Sequence, residues 1–168
     1  MHSSNAAAQR RERFDQYVAV YHQDMFRYAA WLSRDQAIAQ DVVQEALLRA
    51  WKSLDNLRDE GSAKQWLLTI VRRENARYFE RKRLETVDID NLTASQEALL
   101  GVEENNELDD MRKAIYELDD DYREPLVLQV LMGYSTNEIA EQMGLKQGAV
   151  LTRLHRARAR LKERLEQQ

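Results

Sequence analysis

The fold of this chain is indicated by residues 134–165, YSTNEIAEQMGLKQGAVLTRLHRARARLKERL. Ser135 and Glu138 have the spacing of a capping box, in which two side chains satisfy free backbone donors at the start of a helix. Gly144 stands where a left-handed residue would end that helix. Apolar residues then recur every three or four positions, at Val150, Leu154, Ala157, Leu161 and Leu165. Because this spacing predicts a second, longer amphipathic helix, the stretch is interpreted as a helix-turn-helix.

The second helix of this motif carries residue types that bind DNA. In a helix-turn-helix, the N-terminal part of the second helix enters the major groove and its polar side chains read base edges. We therefore expect base readout from Gln147, Thr152, His155 and Arg156. The later arginines, Arg158 among them, would mostly hold phosphates. The alternative for this stretch alone is an amphipathic helix with a solvated basic face.

Length and composition limit the fold class and the compartment. At 168 residues there is room for one domain or two small ones, and 32% charged residues with five glycines and one proline predict an all-α soluble protein. The absence of cysteine excludes disulfides and cysteine-zinc sites. No apolar run approaches the roughly 20 residues of a membrane span, and no signal-peptide core is seen. We expect a cytoplasmic protein without a cofactor and without membrane insertion.

The charge is distributed unevenly along the chain. The net charge is -4, yet residues 1–83 hold 15 Lys and Arg against 11 Asp and Glu, and residues 125–168 hold 7 against 4. Residues 84–124 hold 3 against 14. The two basic ends could meet a polyanion, whereas the acidic middle would be repelled by DNA.

These patterns predict two small helical domains joined by a flexible acidic linker. Residues 1–13 are interpreted as a disordered tail and residues 14–83 as the first helical domain. Residues 84–107 carry seven acids and no base, which is typical of a mobile linker. Residues 108–168 form the second domain and end in the helix-turn-helix.

The second helix of the first domain has an unusual polar face. Behind an apolar stripe from Ile38 to Leu54, it presents a mixed-charge strip with a leucine in its middle. We define the docking strip as Asp41, Gln44, Glu45, Leu48, Arg49 and Lys52. The strip could be solvated, or it could dock on a complementary helix of a partner.

The third helix of the first domain becomes basic toward its end. Arg73, Arg77 and Arg81 are spaced four apart, with Arg72 beside them and Tyr78 interleaved. Arginine among aromatic rings suits a surface that grips phosphates and stacks bases. A solvated face above a core aromatic residue explains this stretch equally well.

The chain resembles the extracytoplasmic-function group of sigma-70-type sigma factors of bacterial RNA polymerase. The resemblance covers nearly the whole chain from Phe14 to Leu165. Its strongest motifs are residues 41–51, DVVQEALLRAW, similar to the family's region 2.2, and residues 133–140 with 153–158, GYSTNEIA and RLHRAR, similar to its region 4.2.

The resemblance implies partners and roles for these residues. The docking strip would bind the β′ clamp helices of core RNA polymerase, and the second domain would meet the β flap. Promoter DNA would be recognised at two elements, and an anti-sigma factor would control the protein. The -10 element would be bound and opened by Asn56, Leu57, Arg58, Arg72, Arg73, Arg77 and Tyr78. The -35 element would be bound by Gln147, Thr152, Arg153, His155, Arg156 and Arg158.

Three positions depart from the family pattern. Leu57 stands where the family often has an aromatic residue, Arg73 where an asparagine is common, and Leu151 where a basic residue is frequent. These departures concern the choice of -10 base and the grip on -35 phosphates.

Other function classes explain the sequence less completely. An enzyme lacks support because His2, His22 and His155 have no second ligand at metal spacing, and the carboxylates are concentrated in the linker. A stand-alone helix-turn-helix transcriptional regulator would explain residues 108–165 but would leave the docking strip unused. An adaptor that binds only protein would leave the DNA-type face of the last helix unused.

Overall fold

The computed structural model of the protein describes residues 2–85 and 106–167, and every element in these ranges is a helix or a short 3₁₀ turn. The all-α prediction is therefore confirmed. The described chain divides into two units. The first unit takes in the residues up to Ala29 and those from Ala37 onward through the third helix, and the second takes in Ala30–Gln36 and the helices after residue 105. Most of the predicted linker, residues 86–105, lies outside the described residues.

The first unit is built from a loop and three helices, of which the first contributes its residues up to Ala29 and the second those from Ala37. The helices are α1 (His2–Ser33), α2 (Gln36–Lys52) and α3 (Ala63–Glu85), and the loop contains 3₁₀ turns at Leu54–Asn56 and Glu60–Ser62. Arg34, at φ 59°, is in the left-handed region and separates α1 from α2.

The prediction that residues 1–13 form a disordered tail is wrong, because α1 already begins at His2. Two physical reasons account for the helix. Ala6, Ala7 and Ala8 have the highest intrinsic helix propensity of all residues. In addition, Arg10 and Arg13 bond to backbone carbonyls elsewhere in the unit, so the first turns gain tertiary contacts.

Apolar faces from all three helices meet in the core of the first unit. Met25 and Tyr28 of α1 are fully buried, as are Ala46 of α2 and Leu68 of α3. The apolar stripe predicted for α2 is buried or half-buried over its whole length, from Ile38 to Leu54. The polar face of α2 is thereby turned outward.

The second unit contains four helices: α4 (Asn106–Tyr116), α5 (Asp120–Val130), α6 (Thr136–Met143) and α7 (Gln147–Glu166). Helix α7 packs against α4, α5 and α6. Its buried stripe is Val150, Leu154, Ala157 and Leu161, the apolar spacing read from the sequence. Because this stripe packs against the other three helices, the opposite face of α7 is left in solvent.

A buried arginine joins α4 to α5. Arg123 is 2% exposed, and its guanidinium donates to the carbonyls of Tyr116, at 3.2 Å, and Leu118, at 2.8 Å. It also pairs with Asp120. Burial lowers the pKa of Arg123. These bonds satisfy carbonyls at the end of α4 that have no partner within the helix.

None of the helices described above combines the length and the apolar character needed to cross a membrane. Within the same residues, no three His, Cys, Asp or Glu side chains gather in a group that could hold a metal ion.

Candidate functional site

The docking strip is a continuous solvent-facing surface of α2. All six of its residues are exposed, and Leu48 retains 55% of its surface. The opposite face of the helix carries the buried Val42, Val43, Ala46 and Ala50. The structure therefore brings the six predicted residues together on one face.

A groove of about 360 Å³ lies between α2 and α3. Asp41, Gln44 and Glu45 of the docking strip line one side, and Tyr78 and Arg81 of the basic helix line the other. Residues predicted to bind the polymerase and residues predicted to bind DNA are therefore neighbours within one unit.

Glu74 is a residue that the sequence reasoning missed. Its side chain is 5% exposed, and its Oε1 accepts a hydrogen bond from Arg77 Nη1 at 2.9 Å and forms an ion pair with Arg49 Nε at 3.2 Å. The carboxylate thus joins the docking strip to the basic face of α3. The spacing of Leu67, Val71 and Glu74 places the glutamate on the buried stripe of α3, and this signal could have indicated its role.

The loop at residues 53–62 presents two of its three predicted DNA-binding side chains. Asn56 and Arg58 are exposed, but Leu57 is only 5% exposed. The prediction that the Leu57 side chain contacts DNA is therefore wrong for this structure, because the side chain is packed in the core and anchors the loop.

Asp59 organises the end of this loop. Its carboxylate accepts from the backbone N–H of Gly61 and from the hydroxyl of Ser62, both at 3.0 Å. Helix α3 begins directly afterwards at Ala63. The Ser62 hydroxyl, at the junction between loop and helix, therefore donates its hydrogen bond to Asp59.

The basic face of α3 has the predicted mixture of arginine and aromatic side chains. Arg73 and Arg77 are exposed, whereas Arg72 is half-buried. Tyr78 packs edge-on against Phe79, with ring centroids 5.4 Å apart, and Lys82 lies 5.8 Å from the Tyr78 ring. Since Arg77 also pairs with Glu74, its guanidinium is fixed rather than freely rotating.

The helix-turn-helix of the second unit has the predicted left-handed Gly144 and the Ser135 half of the predicted capping box. The Ser135 hydroxyl accepts from the backbone N–H of Glu138 at 3.2 Å, and Gly144 is left-handed at φ 65°. The Gln147 side chain donates to the Thr136 hydroxyl at 3.1 Å and so ties the starts of the two helices together. The turn between α6 and α7 is therefore fixed by Gly144 at its start and by the Gln147–Thr136 bond at its end.

The outer face of α7 gathers the predicted base-reading residues. Gln147, Thr152, His155 and Arg156 are all exposed, and the last three lie opposite the buried stripe. Leu151, one of the three departures from the family pattern, lies one helical turn from Gln147 and from His155, with 52% of its surface exposed.

The other arginines of α7 are engaged within the unit. Arg153 pairs with Asp121 at 3.3 Å, Arg160 with Asp119 at 2.6 Å and Arg164 with Glu117 at 2.9 Å. Arg158 donates to the side chain of Gln129. Arg153 and Arg158 of the predicted DNA-binding set are thus bonded to α5, because α5 and the residues before it present acidic and amide oxygens to this side of α7.

Two family models match the chain. The model of Sigma-70 region 2 matches residues 17–85, and the model of Sigma-70 region 4 matches residues 108–161. These ranges contain the docking strip with the basic helix and the helix-turn-helix, respectively.

Individual relatives cover most of the chain. It is 33% identical to the ECF RNA polymerase sigma factor SigL of Mycobacterium tuberculosis, over 90% of this chain and 85% of that protein. It is 27% identical to the ECF RNA polymerase sigma factor SigX of Bacillus subtilis, over 92% of this chain and 84% of that protein.

Solved structures give the same result. The sigma factor RpoE of Bartonella quintana, in complex with the anti-sigma factor NepR, matches with a TM-score of 0.74 and 28% identity, over 92% of this chain and 98% of that one. CnrH in complex with the cytosolic domain of CnrY matches with a TM-score of 0.67 and 26% identity, over 97% of this chain and 94% of that one. The chain therefore belongs to the extracytoplasmic-function group of RNA polymerase sigma factors, the initiation factors that bind core RNA polymerase and promoter DNA.

Proposed function

We propose that the docking strip of α2 is the surface through which this sigma factor binds the β′ clamp helices of core RNA polymerase. Six exposed residues on one helix face offer both charges around Leu48, which suits a partner helix with complementary charge and an apolar centre. The continuity of this strip is the observation that carries the proposal.

We further propose that the -10 element meets the loop at residues 53–62 and the basic face of α3. Asn56 and Arg58 would contact the strand at the loop, while Arg72, Arg73, Arg77 and Tyr78 would hold it along the helix. Opening the duplex requires that an unstacked base gain new contacts that offset a few kcal/mol. The ring of Tyr78 beside Arg77, which Glu74 holds in place, supplies such contacts.

The -35 element would be read by the outer face of α7. Gln147, Thr152, His155 and Arg156 would face base edges in the major groove, since they lie on the exposed side of the first half of the helix. Arg153 and Arg158 would reach phosphates only by sharing or leaving their bonds to Asp121 and Gln129. The second unit would also meet the β flap.

Regulation would come from an anti-sigma factor. Of the two solved structures named above, one holds the sigma factor RpoE with the anti-sigma factor NepR, and the other holds CnrH with the cytosolic domain of CnrY. By this analogy, the protein would work in the cytoplasm by binding rather than by catalysis, and a partner would withhold it from the polymerase.

A binding and transcription assay tests the proposal against a stand-alone helix-turn-helix regulator. The purified protein should bind core RNA polymerase tightly, bind promoter DNA poorly when alone, and direct specific transcription when the two are combined. Tight binding to duplex promoters without the polymerase, together with no affinity for core, would favour the regulator.

A further inference from the structure

We infer that the N-terminal end of α1 is a brace that sets the geometry of the promoter-facing loop at residues 53–62, with Arg10 and Arg13 as its positioning residues. This inference rests on the proposed -10 role of that loop. The brace is the segment that the sequence had indicated as a tail.

Arg13 holds the middle of the loop. Its Nη2 donates to the carbonyl oxygen of Leu57 at 2.8 Å, and its Nε donates to the Tyr17 hydroxyl at 3.2 Å. The guanidinium also lies 3.8 Å from Glu60. Because Tyr17 fixes one edge of the guanidinium, the other edge is directed at the Leu57 carbonyl.

Arg10 holds the start of the loop. It donates to the carbonyl oxygen of Trp51, packs 4.3 Å above the Trp51 ring and lies 3.4 Å from the Asp55 carboxylate. Trp51 is in the last turn of α2, where backbone carbonyls have no partner within the helix. Arg10 therefore caps the end of α2 and at the same time contacts the first residues of the loop.

Together these contacts fix the loop from two sides. The Leu57 side chain is buried in the core while its carbonyl is held by Arg13, so the peptide plane there has little freedom. Asn56 and Arg58, the exposed neighbours of Leu57, are therefore presented in a set direction. A loop that is ordered beforehand loses less conformational entropy when it captures a strand.

A positioning role and a merely structural role make different predictions. If Arg13 only stabilised the unit, Arg13→Ala would weaken core binding and thermal stability together with DNA binding. If Arg13 positions the loop, Arg13→Ala should lower the affinity for the single-stranded -10 element, while the affinity for core polymerase stays unchanged. Arg13→Lys, which can keep one hydrogen bond, should restore part of the loss.

The experiment uses holoenzyme assembled from core RNA polymerase and the full chain. Its probe is a single-stranded oligonucleotide with the nontemplate -10 region of a promoter on which the wild-type holoenzyme initiates. We expect Arg13→Ala to weaken this binding by at least about tenfold, the lower end of the effect of one lost hydrogen bond to a charged group. Arg11→Ala, at an exposed position of the same helix, is the matched control and should have no effect.

Two results would overturn the brace: unchanged oligonucleotide binding by Arg13→Ala, or an equal loss of core affinity and thermal stability. A wild-type holoenzyme that initiates on the promoter but does not bind the oligonucleotide would overturn the proposed -10 role, and the brace with it.

A second inference rests on a separate observation, the exposed Leu151. We propose that Leu151 contacts the 5-methyl group of a thymine in the -35 element. It lies one helical turn from both Gln147 and His155, in one row with them along α7, with 52% of its surface exposed. The thymine methyl is the apolar group that the major groove offers to such a side chain.

Replacing thymine by deoxyuridine removes only that methyl group. With wild-type holoenzyme, one such replacement in the -35 element should weaken binding by about threefold to fourfold, the value of one buried methyl. Leu151→Ala holoenzyme should be insensitive to the same replacement, whereas Val130→Ala, which changes an exposed apolar residue of α5, should behave as wild type. Equal sensitivity of wild type and Leu151→Ala, or no sensitivity of wild type at any thymine, would overturn the contact and leave the proposed function standing.

Discussion

Arg49 on the docking strip and the buried Glu74 form an ion pair, with Nε 3.2 Å from Oε1. Arg77 binds the same carboxylate oxygen at 2.9 Å. The surface proposed to bind the polymerase is therefore bonded to a residue proposed to bind the -10 element, through one carboxylate in the core.

Glu74→Gln should destabilise the first unit by about 1–3 kcal/mol, because a buried group loses its charge-assisted bonds to two arginines while its volume is kept. Urea unfolding of the full chain measures this free energy. Glu80→Gln, at an exposed position of α3, should leave it unchanged. Equal stability of both variants would show that the buried carboxylate contributes little.

Reversing the charge of Asp41 and Glu45 to lysine should weaken core polymerase binding by at least about tenfold, or 1.4 kcal/mol, because like charges would then meet on the docking surface. Binding of labelled protein to core polymerase measures the change. Glu12→Lys with Asp15→Lys, which makes the same change in net charge on exposed positions of α1, is the control. If both double variants bind core as the wild type does, α2 is not the docking surface.

Arg156→Ala should weaken -35-dependent transcription by about 1–3 kcal/mol if this exposed side chain reads a base edge. The loss should differ between promoters that differ at the contacted base pair. Arg160→Ala, which removes the ion pair with Asp119, serves for comparison and should act on all promoters alike. A uniform loss for Arg156→Ala would reassign that residue to a phosphate.

Arg123→Met should destabilise the second unit by about 1–3 kcal/mol, because the carbonyl of Tyr116 would lose its charged donor inside the protein and the carbonyl of Leu118 would keep only Arg34. Thermal or urea unfolding of the full chain measures the effect. Arg123→Lys should recover part of it. A change of less than about 0.5 kcal/mol, the size expected for an ordinary surface substitution, would show that Arg123 does not stabilise the unit.

Gly144→Ala and Gly148→Ala should have opposite effects on stability. Gly144 is left-handed at φ 65°, so an alanine there should cost about 1 kcal/mol although the described residues leave room for its methyl group. Gly148 lies inside α7 at a negative φ, so an alanine should stabilise the helix by up to about 1 kcal/mol. Destabilisation by both would point to a packing constraint at the turn.

Local patterns in the sequence were sufficient for much of this structure. The caps at Ser135 and Gly144 and the buried stripes of α2 and α7 depend on residues within one or two turns of each other, so spacing alone predicted them. The exposed faces that carry the docking strip and the base-reading residues follow from those stripes.

Contacts between distant residues could not be predicted in this way. The order of residues 2–13 depends on bonds from Arg10 and Arg13 to carbonyls more than 40 positions away. The burial of Leu57 also depends on tertiary packing rather than on its neighbours in the loop. Glu74 is a mixed case, because its spacing indicates burial but its link to Arg49 of α2 is visible only in three dimensions.

The ion pairs along one side of α7 affect how this protein would respond to ionic strength. A cation that already has an anionic partner releases fewer condensed counterions when it meets a phosphate. Arg153, Arg160 and Arg164 each have such a partner in Asp121, Asp119 and Glu117. Upstream promoter binding should therefore vary less steeply with salt concentration than the number of arginines in α7 suggests, and a larger share of its free energy should come from the bases themselves.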